Sequence, residues 1–264
     1  MYKLIALDMD GTLLRSDGTI SDATLSALAA AETRGVRVVL STGRPMAGMF
    51  LYVPPLSLRG PMITCNGAMV VDGETRKILF ERGLARADAA RILAAGLAAD
   101  TTMCVWSQNK LYSNKRGAHL DVYTEISRVT ATILSDFSPL LDAGITKILW
   151  SDTEARTTAF CNAAPQMELA ETTVCPTRPI FLEFFHREVS KGIALANLAA
   201  TYGISAAETI AIGDERNDVS MLQWAGLGVA MANAVPEALA AADYVTTSND
   251  ADGVRLVIER FICS

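Results

Sequence analysis

Short apolar runs that each break off into a loop of acids, hydroxyls and glycine recur along this chain, and they constrain its fold more than any other feature. Leu4–Leu7 runs straight into Asp8, Asp10, Gly11 and Thr12; Val36–Leu40 runs into Ser41-Thr42-Gly43-Arg44-Pro45; Thr209–Ile212 runs into Gly213-Asp214. Unbroken apolar stretches of this length are the pattern of strands buried on both faces. Helical stretches lie between them. Ser21 is placed to cap a helix through about Arg34, with Gly35 as its stop, and a second helix is expected over Lys191–Tyr202. Met62–Thr64, ending at Asn66-Gly67, together with Gly228–Ala230 and Tyr244–Val245, reads as further short strands. Strand and helix in alternation predict an α/β fold, a Rossmann-like parallel sheet with crossover helices.

The alternation is interrupted. Met69–Val71 and Lys77–Phe80 read as a hairpin, and from Gly83 the character changes to an Ala-rich helix over 86–99 followed by strands and helices of mixed order. No acidic motif stands at a strand end there. The expected layout is a discontinuous core, residues 1–82 and 187–264, with an inserted α+β module at 83–186.

Bulk properties exclude several classes. With a net charge of -6, a pI near 5.0 and no run of Lys or Arg, a nucleic-acid surface is not expected. No apolar stretch reaches membrane-spanning length. The first apolar run meets an acid at once, unlike a signal peptide, so a cytoplasmic protein is expected. The five cysteines are odd in number, scattered, and without zinc spacing, and they read as reduced thiols. The sequence carries no signal for oligomeric state. His119 and His186 read as surface or structural residues, and Trp106, Tyr112 and Trp150 as packing within the insert.

In an open parallel sheet, residues at the carboxyl ends of strands converge on one crevice. Here that set is Asp8, Asp10, Thr12, Thr42, Gly43, Asp214, Asn217 and Asp218, with Lys191 at a helix start. Carboxylates, one amine and hydroxyl and amide donors make a composition for hard cations and phosphate. A carboxylate attacking a phosphate dianion faces repulsion of about 4 kcal/mol per charge pair at about 4 Å and an effective dielectric near 20, roughly doubled for the dianion. A Mg²⁺ ion held by carboxylates, with a Lys ammonium, reverses the sign of that field. Two Asp at i and i+2 can divide the labour between attack and proton transfer. Each element also has a plainer reading, a polar turn for Asp8-Met9-Asp10-Gly11 and a helix cap for Thr42-Gly43-Arg44.

Asp8-Met9-Asp10-Gly11-Thr12-Leu13-Leu14, Ser41-Thr42-Gly43-Arg44-Pro45, Ser190-Lys191-Gly192 and Gly213-Asp214-Glu215-Arg216-Asn217-Asp218 resemble the four ordered motifs of the haloacid dehalogenase superfamily. Asn66-Gly67-Ala68, Gly228–Ala234 and Asp252-Gly253-Val254 resemble its Cof-type phosphatase branch. The resemblance implies a Mg²⁺-dependent phosphatase acting on a small phosphorylated metabolite, a sugar phosphate first among them. Asp8 would be the nucleophile and a metal ligand, and Asp10 the acid and base, offering its backbone carbonyl to the metal. Met9 and Gly43 backbone amides, the Thr42 hydroxyl, Lys191 and Asn217 would hold the phosphate. Asp214 would ligate the metal, with Asp218 bound to it directly or one layer out. Thr12, Arg44, Asn66 and His186 are further candidates for substrate contact, Arg44 equally for pairing with a carboxylate. The insert would be a mobile cap that selects the leaving group. The sequence departs from the branch at Ala232 and Leu239, outside the phosphate motifs. A phosphomutase or phosphotransferase on the same fold, or a phosphate-binding regulator, is the alternative.

Overall fold

In a computed structural model, residues 1–49 and 60–263 are described. The chain begins with β1 (Leu4–Leu7), all four residues of which are buried. Helix α1 (Asp22–Thr33) starts where Ser21 accepts a hydrogen bond from the Thr24 N–H, and it ends at Gly35, whose φ of +82° suits glycine. Strand β2 (Arg37–Leu40) and the turn α2 (Met46–Met49) follow. Strands β3 (Pro61–Thr64), β4 (Met69–Asp72) and β5 (Ile78–Glu81) form a three-stranded sheet, antiparallel between β3 and β4. The β4–β5 connection is held by Asp72, whose N–H donates to the Lys77 carbonyl and whose side chain accepts the Glu74 and Thr75 N–H groups.

The middle of the chain contributes α3 (Arg86–Ala98), β6 (Thr102–Ser107), β7 (Lys110–Ser113), α4 (Ala118–Ser127), β8 (Thr132–Ile133), α5 (Ser138–Ala143), β9 (Lys147–Ser151), α6 (Glu154–Ala163), β10 (Thr172–Arg178) and β11 (Phe181–His186). The chain then returns through α7 (Lys191–Thr201), β12 (Thr209–Gly213), α8 (Val219–Trp224), β13 (Leu227–Ala230), α9 (Pro236–Ala241), β14 (Tyr244–Val245) and α10 (Gly253–Phe261).

These elements form two compact units. One comprises Met1–Arg44, Met49–Phe80 and Ser190–Ser264; the other comprises Pro45–Gly48 and Glu81–Val189. The first, the core unit, carries a five-stranded sheet in the order β14-β13-β12-β1-β2, parallel throughout. Leu7 stands in register with Leu40 on one side and Ile212 on the other, so β1, β2 and β12 end level. Burial of both faces explains the unbroken apolar runs. Leu195, Leu198 and Ala199 of α7 and Met221 and Leu222 of α8 pack with Leu4, Ala6 and Ala211 of the sheet.

The second, the insert unit, is built on a six-stranded sheet ordered β10-β11-β9-β6-β7-β8, antiparallel except for β7–β8. Its strands alternate by the side-chain period of two. Ile148 and Trp150 of β9 pack with Phe184 and the helix residues Ile92 and Leu93, whereas Leu149 faces Cys104, Trp106, Tyr123 and Phe181.

Strand β10 and helix α10 are absent from the sequence expectations. β10 carries Pro176 and a register shift between Pro176 and Arg178, both of which an edge strand tolerates and both of which blur an alternating pattern. In α10, Val254, Val257 and Ile258 form a buried stripe at helical spacing.

Candidate active site

The level ends of β1, β2 and β12 put their following residues together. Asp8 continues the ladder through its N–H to the Ile212 carbonyl (3.0 Å), and Ser41 through its N–H to the Leu7 carbonyl (2.8 Å). Asp8, Asp214 and Asp218 are all buried, and each offers a carboxylate oxygen within 4.8 Å of the others. Lys191, the first residue of α7 and wholly buried, reaches this cluster: its Nζ lies 2.5 Å from Asp8 Oδ1 and 2.6 Å from Asp218 Oδ1. Ser190 caps the helix by accepting the Ile193 N–H, which fixes where the lysine starts.

The three carboxylates do not play equal parts. Asp218 Oδ1 accepts from Lys191, and its Oδ2 accepts the backbone N–H groups of Asp214 and Glu215, each at 3.0 Å. It is an anchor that closes the loop after β12 and aims the lysine. Asp214 Oδ1 accepts the Thr12 hydroxyl at 2.8 Å. Its Oδ2 points at Gly11, where a Cβ would lie 2.2 Å away, and Gly11 has a φ of +80°. Only glycine meets both conditions.

Burial raises the Asp8 carboxyl well above the usual aspartate range, the Asp218 charge adds to that, and Lys191 opposes both. Burial likewise pushes Asp214 up to about 6, against the Thr12 hydrogen bond. Desolvation disfavours the Lys191 ammonium, but the charges of Asp218 and Asp8 outweigh it and hold the lysine above its ordinary value. Three carboxylates against one ammonium leave an excess of negative charge in a buried place. That excess, on hard oxygen donors, fits a small divalent cation such as Mg²⁺.

The second loop supplies donors. The buried Thr42 hydroxyl accepts the Arg44 N–H at 3.1 Å and keeps its own hydrogen to give. The Asn66 N–H binds the Thr42 carbonyl at 3.1 Å, and Asn66, with a φ of +59°, turns its side chain to accept from Asn217 Nδ2 at 2.8 Å. A Cβ on Gly43 would come within 2.8 Å of Asn66 Oδ1, so glycine lets this loop pack. Arg44 grips Asp10 with Nε and Nη2, both at 2.7 Å. Met9 is fully buried.

The core unit therefore brings together Asp8, Asp10, Thr12, Thr42, Gly43, Arg44, Asn66, Lys191, Asp214, Asn217 and Asp218. His186 belongs to the insert unit. It is buried, its Nδ1 accepts the Glu188 N–H at 3.1 Å, and its Nε2 lies 3.1 Å from Glu171, so both ring nitrogens are engaged within that unit. Sequence reasoning gave no role to Asn233. Its Nδ2 donates to the Gly11 carbonyl at 2.8 Å and ties the loop after β13 to the loop after β1. Its place just past a strand end was the available signal. Among the described residues, no helix is long and apolar enough to cross a membrane.

The chain is similar to known proteins along nearly its whole length. A family model described as haloacid dehalogenase-like hydrolase matches residues 5–258. The Bacillus subtilis protein YxeH is 36% identical over 267 residues, with 99% of each chain covered. The 5-amino-6-(5-phospho-D-ribitylamino)uracil phosphatase YcsE of Bacillus subtilis is 31% identical, covering 98% of this chain and 96% of its own. A crystal structure of a haloacid dehalogenase-like hydrolase from Bacteroides thetaiotaomicron superposes with a TM-score of 0.87 at 27% identity, over 99% of this chain and all of that one. The chain belongs to the haloacid dehalogenase-like hydrolase family and is an enzyme of its phosphatase type.

Proposed function

We propose that the protein hydrolyses small phosphorylated metabolites, sugar or polyol phosphates among them, through a phosphorylated Asp8. The observation that carries this is Lys191, buried between Asp8 and Asp218 beside Asp214. The relative YcsE, whose name gives a phosphorylated ribityl substrate, supports the substrate class.

In this reading Asp8 and Asp214 would hold Mg²⁺, with the Asp10 backbone carbonyl as a further donor and Asp218 holding Lys191 in place. The ion, when bound, offsets the charge on Asp8 and on the phosphoryl group, which permits attack by an anion on an anion. An Asp8 carboxylate oxygen attacks phosphorus, and the bond to the leaving oxygen breaks. Asp10 gives that oxygen its proton. Lys191, Thr42, Asn217 and the backbone N–H groups of Met9 and Gly43 hold the phosphoryl oxygens. Asp10 then takes a proton from water, whose oxygen attacks phosphorus, releasing phosphate and restoring Asp8. The insert, residues 83–186, contributes selection of the leaving group.

The test is a panel of phosphorylated metabolites incubated with Mg²⁺, scored by released phosphate, with Asp8→Asn as the control. Release that depends on Mg²⁺ and on Asp8 supports the reading. Release unaffected by chelation or by Asp8→Asn overturns it, and phosphate found on a second hydroxyl instead of in solution identifies a transferase.

A further inference from the structure

The insert unit holds a cavity of about 320 Å³, lined by Thr102, Lys115, Arg116, Arg156 and the first turn of α4, His119 included. We propose that it is a second anion site of this protein, one that binds a phosphate group, either as inorganic phosphate or as part of a small ester. None of its residues has a part in the hydrolysis proposed above, so the site can be tested without turnover.

Strand register fixes where the cavity lies in the unit. Thr102 stands opposite Ser151, and Ser151 opposite Phe181, so β6 begins, β9 ends and β11 begins at one end of the sheet. The chain enters and leaves at the other end. There the Leu84 N–H binds the Ile145 carbonyl at 2.8 Å just ahead of β9, and β11 finishes at His186. The cavity therefore sits at the end of this sheet away from both connections, and its volume is at the small end of the range for small-molecule sites.

Unused donors point to a ligand. Thr102 is only 5% exposed and lines the cavity, and its hydroxyl has no hydrogen-bond partner among the described residues. So deeply placed a hydroxyl is satisfied only by something that enters the cavity. Beside it, α4 starts at Gly117, which has no capping side chain. The N–H groups of Ala118 and His119, the first two of the helix, have no carbonyl within the helix to bind. No atom lies within 4 Å of where a Cβ on Gly117 would stand, so the helix start is open. Such a start, with its N–H groups and dipole, favours an anion.

Charge selects the same class. Asp100 and Asp152 also line the cavity, but each is taken up by a cation: Lys115 Nζ lies 2.7 Å from Asp100 Oδ1, and Arg156 Nη1 lies 3.0 Å from Asp152 Oδ2. Arg116 remains, exposed and with no ion partner among the described residues, so the lining carries one cation in surplus. A guanidinium, a hydroxyl and two backbone N–H groups, supplied by a loop, a strand and a helix start, outnumber the two oxygens of a carboxylate and suit the several oxygens of a phosphate. The walls are preformed. Ser151 Oγ donates to the His119 carbonyl at 3.3 Å, and Asn114 clamps the residues on either side of Thr102, accepting the Met103 N–H at 2.8 Å and donating to the Thr101 carbonyl at 2.9 Å. A braced site loses little entropy when it binds.

Isothermal titration of the full chain in EDTA tests this, with inorganic phosphate in one arm and glycerol phosphate in the other. Thr102→Val keeps the shape of the side chain and removes its hydroxyl. It should weaken phosphate binding roughly tenfold, the effect of one lost hydrogen bond to a charged group. Urea unfolding of that variant without phosphate should match the wild type, because the hydroxyl has no partner to lose. Arg116→Glu, an exposed change, should weaken binding at least as much. In the wild type the amide resonances of Ala118 and His119 should move as phosphate is added. Tighter binding of the ester makes a phosphorylated metabolite the ligand, and tighter binding of inorganic phosphate makes it the free anion; either supports the site if both substitutions weaken it. No binding at millimolar phosphate, or binding that neither substitution weakens, overturns the site.

Discussion

Arg44 holds both oxygens of Asp10, Nε on one and Nη2 on the other, at 2.7 Å each. The pair is exposed enough that its removal should change unfolding stability by less than about 1 kcal/mol. Its effect should fall on catalysis, since the fork sets where the Asp10 proton is offered. Arg44→Gln should lower kcat for an alkyl phosphate by about 10- to 100-fold, less than the roughly 10²- to 10⁴-fold that a positioned acid or base contributes, because Asp10 itself remains. p-Nitrophenyl phosphate should suffer less, because nitrophenolate departs without a proton. Equal losses for both esters would show that Arg44 acts elsewhere.

Lys191→Met should be costly in the metal-free protein. The ammonium is fully buried between two carboxylates, and its loss leaves them facing each other without compensation. Breaking one side of such a pair costs about 3–5 kcal/mol. Mg²⁺ should restore more stability to this variant than to the wild type. Urea unfolding with and without Mg²⁺ reads both effects, and equal shifts would refute the charge argument.

Asp8→Asn should abolish turnover while substrate still binds, because the amide keeps the shape and loses the nucleophile. A fall of at least about 10³-fold in kcat is expected. Isothermal titration with a phosphate ester checks retained binding. A variant that turns over at a few per cent of wild type excludes Asp8 as the attacking group.

Gly11→Ala should damage the site more than the fold. The new Cβ would lie 2.2 Å from Asp214 Oδ2 and would sit on a backbone with a φ of +80°. Asp214 must move and lose its Thr12 contact. Weaker Mg²⁺ binding, with a melting temperature that falls by a few degrees at most, is the expected result. Unchanged Mg²⁺ affinity would contradict it.

Asp88 provides a pH prediction for the insert unit. Burial alone would raise its carboxyl, but the N–H groups of Glu171 and Ala170 and the Thr172 hydroxyl donate to it and hold it below the usual aspartate value. A folded value below the unfolded one, near 3.9, gives stability that is full above that value. The stability fades as pH falls through the folded value. Unfolding followed by Trp106 and Trp150, in a Trp224→Phe background, should therefore weaken below about pH 4. Asp88→Asn should cost about 2 kcal/mol at neutral pH and flatten that acid limb. An acid limb that survives the substitution assigns it to other groups.

Local chemistry made much of this protein legible in its sequence. Apolar runs ending at Leu7, Leu40 and Ile212 marked the buried strands, Ser21 and Ser190 marked the helix starts, and Asp8, Lys191 and Asp214 were placed at element ends. Those readings needed only burial, capping and the rule that parallel strands deliver their carboxyl ends to one side. Pairings between distant residues were decided by the tertiary structure. That Asp218 spends both oxygens on Lys191 and two backbone N–H groups, that Arg44 grips Asp10, and that Asn233 binds the Gly11 carbonyl all depend on strand register and side-chain rotamers. His186 is held by Glu171 and Glu188 for the same reason, and strand β10 exists because β11 offers it an edge. A local pattern states what a residue can do. Its partner is settled only when the packed chain brings one within about 3 Å and excludes the water that would have served instead.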